Sequence, residues 1–353
     1  MKIAGASFRT DQCCSSPDGS LAKSLPPRPA CIDESTLSAV PVNADGPPPA
    51  PSRGVLVTVI VCTHNRAGLL EGCLRSLVDQ TMPVDQYEVI IVQNACTDHT
   101  TSVSEEFSQA YRNVRSLREP QPGKSRAANT GLGQARGTYV AFIDDDARAP
   151  RAWVEQISRA FSNATPSPAV VLGRVTSVYE TAPPDWWEPV TRQRTRDRGF
   201  WEPGLDRYRV AGSNFAFNRE ALIECGGFAV DRGPVGDLYR VGEDMEAAFR
   251  VAARYPYVWY DPAIVVEHWV PIEKMSFRYL IWRAHLSGVA ISEIERLGLF
   301  SSLIPALLTW LAVFLAAKAW RRRDAPRLKV FLMRLALRFA MIAGMVRGAR
   351  ILR

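Results

Sequence analysis

The sequence predicts an α/β protein built on a parallel, doubly wound sheet, and three observations carry that reading. From Val55 onward, short apolar runs alternate with stretches of helical period. The first run, VLVTVIVC (55–62), is too continuous for a half-exposed strand and reads as one buried on both faces. Three of the runs give way to polar residues, at Thr63, Gln93 and Asp144. In such sheets ligands bind beyond the carboxyl ends of the strands, so those residues are the first to inspect.

Taken in order, the first strand is followed by Thr63-His64-Asn65-Arg66 and then by Leu70, Cys73, Leu74, Leu77 and Val78 at helical spacing. YEVIIV (87–92) is the second strand, ending in Gln93-Asn94-Ala95-Cys96-Thr97-Asp98. A polar helix is expected near 98–111, a short strand at Val114–Leu117, a helix over 124–136 and a strand at TYVAFI (138–143), which runs into Asp144-Asp145-Asp146. Strand and helix alternating in this way imply parallel pairing with crossover helices. From 150 to about 268 the pattern is less regular. It holds a Pro/Trp-rich loop (PPDWWEP, 183–189), an apolar strand candidate AGSNFAFN (211–218), a Gly226-Gly227 turn and the acidic pair Glu243-Asp244 at the head of a helical stretch, Met245–Ala253.

The two ends differ from this body. Residues 1–54, with SPDGS, PPRP and DGPPPAPSRG, have no helical or strand period and read as a disordered leader. Residues 55–290 hold every strand and every candidate site, and 291–353 form a hydrophobic tail. The net charge of +7 resides in that tail: residues 318–353 carry eleven Lys or Arg against Asp324 alone, which is +10 and leaves −3 for the rest. A basic tail on a mildly acidic body suggests an anionic membrane surface as partner and argues against nucleic acid. Leu299–Ala317 is nineteen residues without charge, enough to span a bilayer. Val330–Val346 is apolar with Arg334 and Arg338 on one edge, which suits a helix lying in the interface, although a buried hairpin would show the same pattern. Seven cysteines with no CxxC pair fit a reducing compartment, and MKIAGASFRTDQ lacks the apolar core of a secretory signal. The body is therefore expected at the cytoplasmic face of a membrane, anchored by or resting on its tail.

Adjacent carboxylates at Asp144–Asp146, directly behind a buried strand, would repel one another unless a cation intervened. Mg²⁺ or Mn²⁺, held by one or two carboxylates together with substrate phosphates, resolves that cost; a solvated acidic turn capping the next helix is the competing reading. Glu243-Asp244 at a helix start offers either a general base, stabilised in its charged form there, or a capping acid.

Five segments, TVIVCTHNRAGLLEGCLRSLVDQ, VIIVQNACTDHT, GKSRAANTGLGQARGTYVAFIDDD, AGSNFAFNREALIECGGF and GEDMEAAFR, in this order and spacing, resemble the family 2 glycosyltransferases of the GT-A fold, over about Val57 to Gly288. The resemblance implies a Rossmann-like sheet that is mixed but mostly parallel, and an inverting transferase that moves a sugar from a nucleotide-diphosphate donor to a hydroxyl of a glycan or lipid-linked acceptor. By matching position, Thr63, Asn65 and Arg66 form the first nucleotide-contacting loop, Gln93, Asn94 and Asp98 the second, and Arg126 lies close to the nucleotide. Asp144, Asp145 and Asp146 make the DxD-like element, with Asp144 and Asp145 on the nucleotide-sugar and Asp144 and Asp146 as metal ligands; His268, in VVEHWVP, either completes the shell or is a hydrogen-bonded structural residue. Asp244 matches the catalytic base beside Glu243, and Ser213-Asn214 the acceptor-side segment. Trp186 and Trp187 could stack an acceptor sugar or simply anchor their loop. Gln93 departs from the family's usual acid at a base-contacting position; an amide both donates and accepts, which leaves base specificity open, with UDP the favoured carrier and GDP or dTDP the alternatives. A nucleotidyltransferase would present a Gly-rich basic loop after the first strand, which CTHNRAG is not. A glycan-binding protein with this fold but no activity would have no need of both acidic elements together.

Overall fold

The computed structural model describes residues 54–191, 198–201, 212–235, 240–295 and 325–351. Nearly all of the 1–54 leader and the whole of Leu299–Ala317 lie outside them. Strand β1 (Val57–Thr63), helix α1 (Ala67–Val78), β2 (Tyr87–Asn94), α2 (Thr100–Ala110), β3 (Val114–Glu119), α3 (Lys124–Gln134) and β4 (Tyr139–Phe142) follow the expected alternation. Next come β5 (Ala147–Arg148), α4 (Trp153–Asn163), β6 (Val170–Tyr179), α5 (Trp187–Thr191), β7 (Gly199–Trp201), β8 (Phe215–Asn218), α6 (Arg219–Glu224), α7 (Glu243–Arg254) and β9 (Val258–Val270). Two long helices, α8 (Phe277–Glu295) and α9 (Ala325–Ile351), end the described chain.

The strands form one sheet in the order β3-β2-β1-β4-β8-β6-β9-β5, with β7 also paired to β9. Pairing is parallel from β3 to β4, as expected. The sheet as a whole is mixed, the arrangement that the GT-A resemblance implies: β8 runs antiparallel to both β4 and β6. Among the described residues between β6 and β8 the only helix is α5, whose five residues are too few for the regular crossover that imposes a parallel direction. Alternate residues of the same strand feed opposite cores. Val57, Val59 and Val61 pack with α1 and α4, through Leu70, Leu74 and Ile157; Ile60, Ile90 and Val92 pack with α3, α6 and α7, through Leu132, Leu222 and Val251. Both faces of the sheet are thus covered, which is why β1 and β2 are apolar almost without interruption.

Helix α9 packs along α8 at very short range. A Cβ added to Gly288 would lie 1.8 Å from Met341 O, and one on Gly344 would lie 1.9 Å from His285 O. Arg334 and Arg338 stay exposed on α9, whereas Leu335, Ile342 and Met345 are buried. Among the described residues no helix is long and apolar enough to cross a membrane.

Candidate active site

The acidic turn is held from two sides. It leaves β4 after Ile143, and its far end is captured by β9, where Ala147 pairs with His268 and the Trp269 N–H donates to Asp146 O at 2.8 Å. That pairing sets an imidazole beside the turn from a strand more than a hundred residues later. Ligand atoms of Asp144, Asp146 and His268 fall within 4.8 Å of one another. Asp146 Oδ1 is buried and accepts no well-formed hydrogen bond; His268 Nε2 lies 3.3 Å from it. A buried carboxylate oxygen left without a donor, facing a second carboxylate and an imidazole, fits a divalent cation such as Mn²⁺ or Mg²⁺. Burial works against ionisation of Asp146, but His268, Lys274 and Arg66 outweigh it and hold the carboxyl below the ordinary range. Asp145 is pushed up to about 6 by burial, although Arg66 opposes the shift.

The loop after β1 serves this turn directly. Thr63 Oγ1 donates to Asp145 Oδ2 at 2.8 Å, and Arg66 Nη1 donates to Asp145 Oδ1 at 3.0 Å and to Asp146 Oδ2 at 3.2 Å. Asn65 adopts φ 51°, a left-handed conformation that Asn tolerates, and its Oδ1 accepts from the Thr97 and Asp98 N–H groups. Asp98 in turn accepts from the Ala67 and Thr100 N–H groups, so the β1 and β2 loops are tied together. The amides behind them are occupied internally. Asn94 donates to Glu119 O and Gln121 O and accepts from the Gly123 N–H at 2.8 Å, which fixes the entry to α3. Gln93, buried, donates to Ser116 Oγ and accepts from Thr101 Oγ1. Arg126 is half-buried beside Gly123 and has no ion-pair partner among the described residues.

The second acidic element meets the first through a residue the sequence did not single out. Lys124 Nζ lies 2.8 Å from Asp144 Oδ1 and 3.4 Å from Glu243 Oε1. Burial alone would lower the pKa of this ammonium, but Asp144, Glu243 and Asp244 outweigh burial and hold it well above the ordinary range. Lys124, Asp144, Gly212, Glu243 and Asp244 all line one small cavity. Asp244 sits in the first turn of α7, where its Oδ1 accepts from the Met245 N–H at 2.8 Å. Burial, then the neighbouring Glu243 carboxylate, push Asp244 up to about 7. The helix start does not hold its pKa down as position alone suggests, because desolvation exceeds the effect of the first turn. A Cβ on Gly212 would lie 2.5 Å from Asp244 Oδ2, so glycine there makes room for the carboxylate.

Ser213 and Asn214 are buried behind this point. Asn214 accepts from Trp153 Nε1 and donates to Arg174 O and Ile264 O, joining α4, β6 and β9. Trp187 is buried, donates from Nε1 to Tyr179 Oη at 3.1 Å and packs with Val270 and Met275. Trp186 meets Trp187 and Phe277 edge-on, with centroids 5.8 and 6.2 Å apart. The tryptophan pair therefore anchors its loop to the end of β9 and the start of α8. Lys124 was legible only as the residue after Gly123 in GKS, and Lys274, 3.6 Å from Asp146 Oδ2, carried no signal at all.

Residues 58–226 match the family model described as glycosyl transferase family 2. Glycosyltransferase AglE of Haloferax volcanii is 38% identical over 101 residues, 28% of this chain and 33% of that one. The glucosyl-dolichyl phosphate glucuronosyltransferase of the same organism is 25% identical over 237 residues, 66% of this chain and 75% of that one. The chain thus spans about a third of AglE and three-quarters of the second relative. Among solved structures, the mannosyltransferase PcManGT from Pyrobaculum calidifontis, in complex with GDP-Man and Mn²⁺, gives a TM-score of 0.59 at 24% identity over 86% of this chain and 89% of that one. S. aureus TarS 1–349 gives 0.50 at 17% identity, over 67% and 66%. These likenesses establish the GT-A fold.

Proposed function

We propose, from the match of residues 58–226 to the glycosyl transferase family 2 model, that the chain is an inverting, metal-dependent sugar transferase of that family. The observation that carries this reading is the convergence of the acidic turn and the Glu243-Asp244 pair on Lys124, at 2.8 and 3.4 Å, next to a three-ligand group fit for a divalent cation. Asp144, Asp146 and His268 would hold that cation, and neutralisation of the departing diphosphate is the chemistry a bound Mn²⁺ or Mg²⁺ supplies. Arg66 and Thr63 orient Asp145 toward the donor side. Asp244, across the cavity, takes the proton from an acceptor hydroxyl as that oxygen attacks the anomeric carbon, and single displacement inverts the configuration. With its carboxyl raised to about 7, Asp244 is a stronger base than an ordinary aspartate once ionised.

A nucleotide-sugar donor is supported by the complexes of the neighbours, one with GDP-Man and another with UDP-GlcNAc. UDP is taken as the favoured carrier, with GDP or dTDP as the alternatives. The name of the glucuronosyltransferase relative supports a lipid-linked acceptor, and a glycan is the other choice. The exposed Trp282 of α8, and the exposed Phe331, Arg334 and Arg338 of α9, support binding to an anionic membrane surface, taken as the cytoplasmic face. The test is a panel of UDP-, GDP- and dTDP-sugars incubated with the full chain and Mn²⁺. Release of nucleoside diphosphate from one carrier, abolished by EDTA, is expected; no release from any of them by the folded protein would contradict the reading.

A further inference from the structure

Lys274 closes the short 3-10 turn Ile272–Lys274 that follows β9, with its N–H donating to Pro271 O at 3.0 Å. The next residue, Met275, is buried against Trp187 and Val270. The backbone is thus fixed on both sides of Lys274, and its ammonium is delivered to the acidic turn, 3.6 Å from Asp146 Oδ2 with the side chain 26% exposed.

The charges around the turn divide unevenly. Asp145 and Asp146 are balanced by Arg66, at 3.0 and 3.2 Å, and by Lys274. Among the described residues Lys124 alone pairs with Asp144 and Glu243, and it also faces Asp244. The Lys124 side is therefore anionic, as suits the base, while the Arg66–Lys274 side is neutral before any divalent ion is bound. An ion held by Asp144, Asp146 and His268 would be matched in charge by the excess on the Lys124 side, but it would take Asp146 as a ligand and stand beside Lys274. The ammonium would then face a like charge on the carboxylate that holds it, so its relief is an anion on its own side.

We propose that Lys274 is a diphosphate-binding residue of the donor site, paired with Asp146 while no divalent ion is bound and turned toward the donor's diphosphate once one is. The proposal rests on the glycosyltransferase reading above. Lysine suits the role: its long stem lets the ammonium move between partners, and its three donors accept phosphate oxygens without a fixed geometry.

The test is calorimetric titration of the full chain and of Lys274→Met, with Mn²⁺ alone, and with UDP, UMP, GDP and GMP at saturating Mn²⁺. In the variant, affinity for Mn²⁺ alone should stay the same or rise, because a competing cation has gone. Affinity for the diphosphate that binds should fall about ten- to a hundredfold, the range for a hydrogen bond to a charged group, and the monophosphate should fall less. Lys274→Arg should restore most of it. Lys274→Gln is the second variant, so a folding defect in the Met variant does not decide the outcome. Unchanged diphosphate affinity with tighter Mn²⁺ would make Lys274 a counter-ion of Asp146 only and overturn the proposal. An equal loss of Mn²⁺, mono- and diphosphate affinity would make it a structural prop and overturn it likewise. A wild-type protein that binds UDP, GDP and dTDP with no Mn²⁺ dependence would overturn the underlying reading, and this inference with it.

Discussion

Asp244 is where the chemistry is most exposed to test by a single substitution. Asn keeps the size and can still accept from the Met245 N–H, so Asp244→Asn should fold as well as the parent. Because the folded carboxyl is raised above its unfolded value, ionising it costs stability as pH climbs from about 4 through about 7. At pH 8 the Asn variant should therefore be as stable as the parent or more so in a thermal melt, while turnover falls about 10²- to 10⁴-fold. The parent's kcat/KM should rise with pH through about 7, as Asp244 loses its proton, and this limb should vanish in the variant. A near-normal rate, or a pH profile flat from 5.5 to 8, would remove Asp244 from the role of base. At this scale the acids were readable because a triple carboxylate behind a buried strand demands an explanation. The lysines were not, since a lone Lys in sequence is usually a solvated one and only the fold brings Lys124 and Lys274 to carboxylates. Nor could sequence show that the amides of Gln93, Asn94 and Asn214 are satisfied within the protein, because their partners lie on other elements.

Among the elements, the first half of the sheet was legible and the second was not, for a physical reason that β9 makes plain. Its sequence VWYDPAIVVEHWV carries Pro262, which argues against a central strand because proline cannot donate to a ladder. The structure places it in an irregularity: register with β6 runs from Gly173↔Asp261 directly to Arg174↔Val265, so Pro262 is left out of the pairing. Past that irregularity β9 reaches β5 and delivers His268, and so the metal group depends on a strand the local pattern disfavours. The packing of α8 on α9 gives the element-scale prediction. Helix propensity alone makes Gly344→Ala stabilising by about 1 kcal/mol. The new Cβ would stand 1.9 Å from His285 O, which is backbone and cannot rotate away. Overpacking of this kind costs about 1–3 kcal/mol or more, so packing outweighs propensity. Gly344→Ala should lower the midpoint of urea unfolding, and an unchanged or raised midpoint would show that α8 and α9 do not pack so closely in solution.

At the scale of the whole molecule, charge and exposed apolar surface point the same way. The basic C-terminal stretch was visible in composition, and the structure adds that Arg334 and Arg338 face outward on a helix whose Phe331 is 44% exposed, beside a helix whose Trp282 is 40% exposed. The full chain should float with vesicles containing anionic lipid, float less in high salt and lose much of that binding in Arg334→Glu/Arg338→Glu. Equal flotation with purely zwitterionic vesicles would show that charge is not the attraction. The central proposal, however, is that Asp244 activates an acceptor hydroxyl for one direct displacement at a cation-held diphosphate. Proton NMR of the product formed from the carrier that the panel identifies, with Mn²⁺ present, reads the anomeric configuration directly. A product of inverted configuration is expected, formed with Mn²⁺, lost with EDTA and nearly absent with Asp244→Asn. A product that retains the donor's anomeric configuration would contradict it.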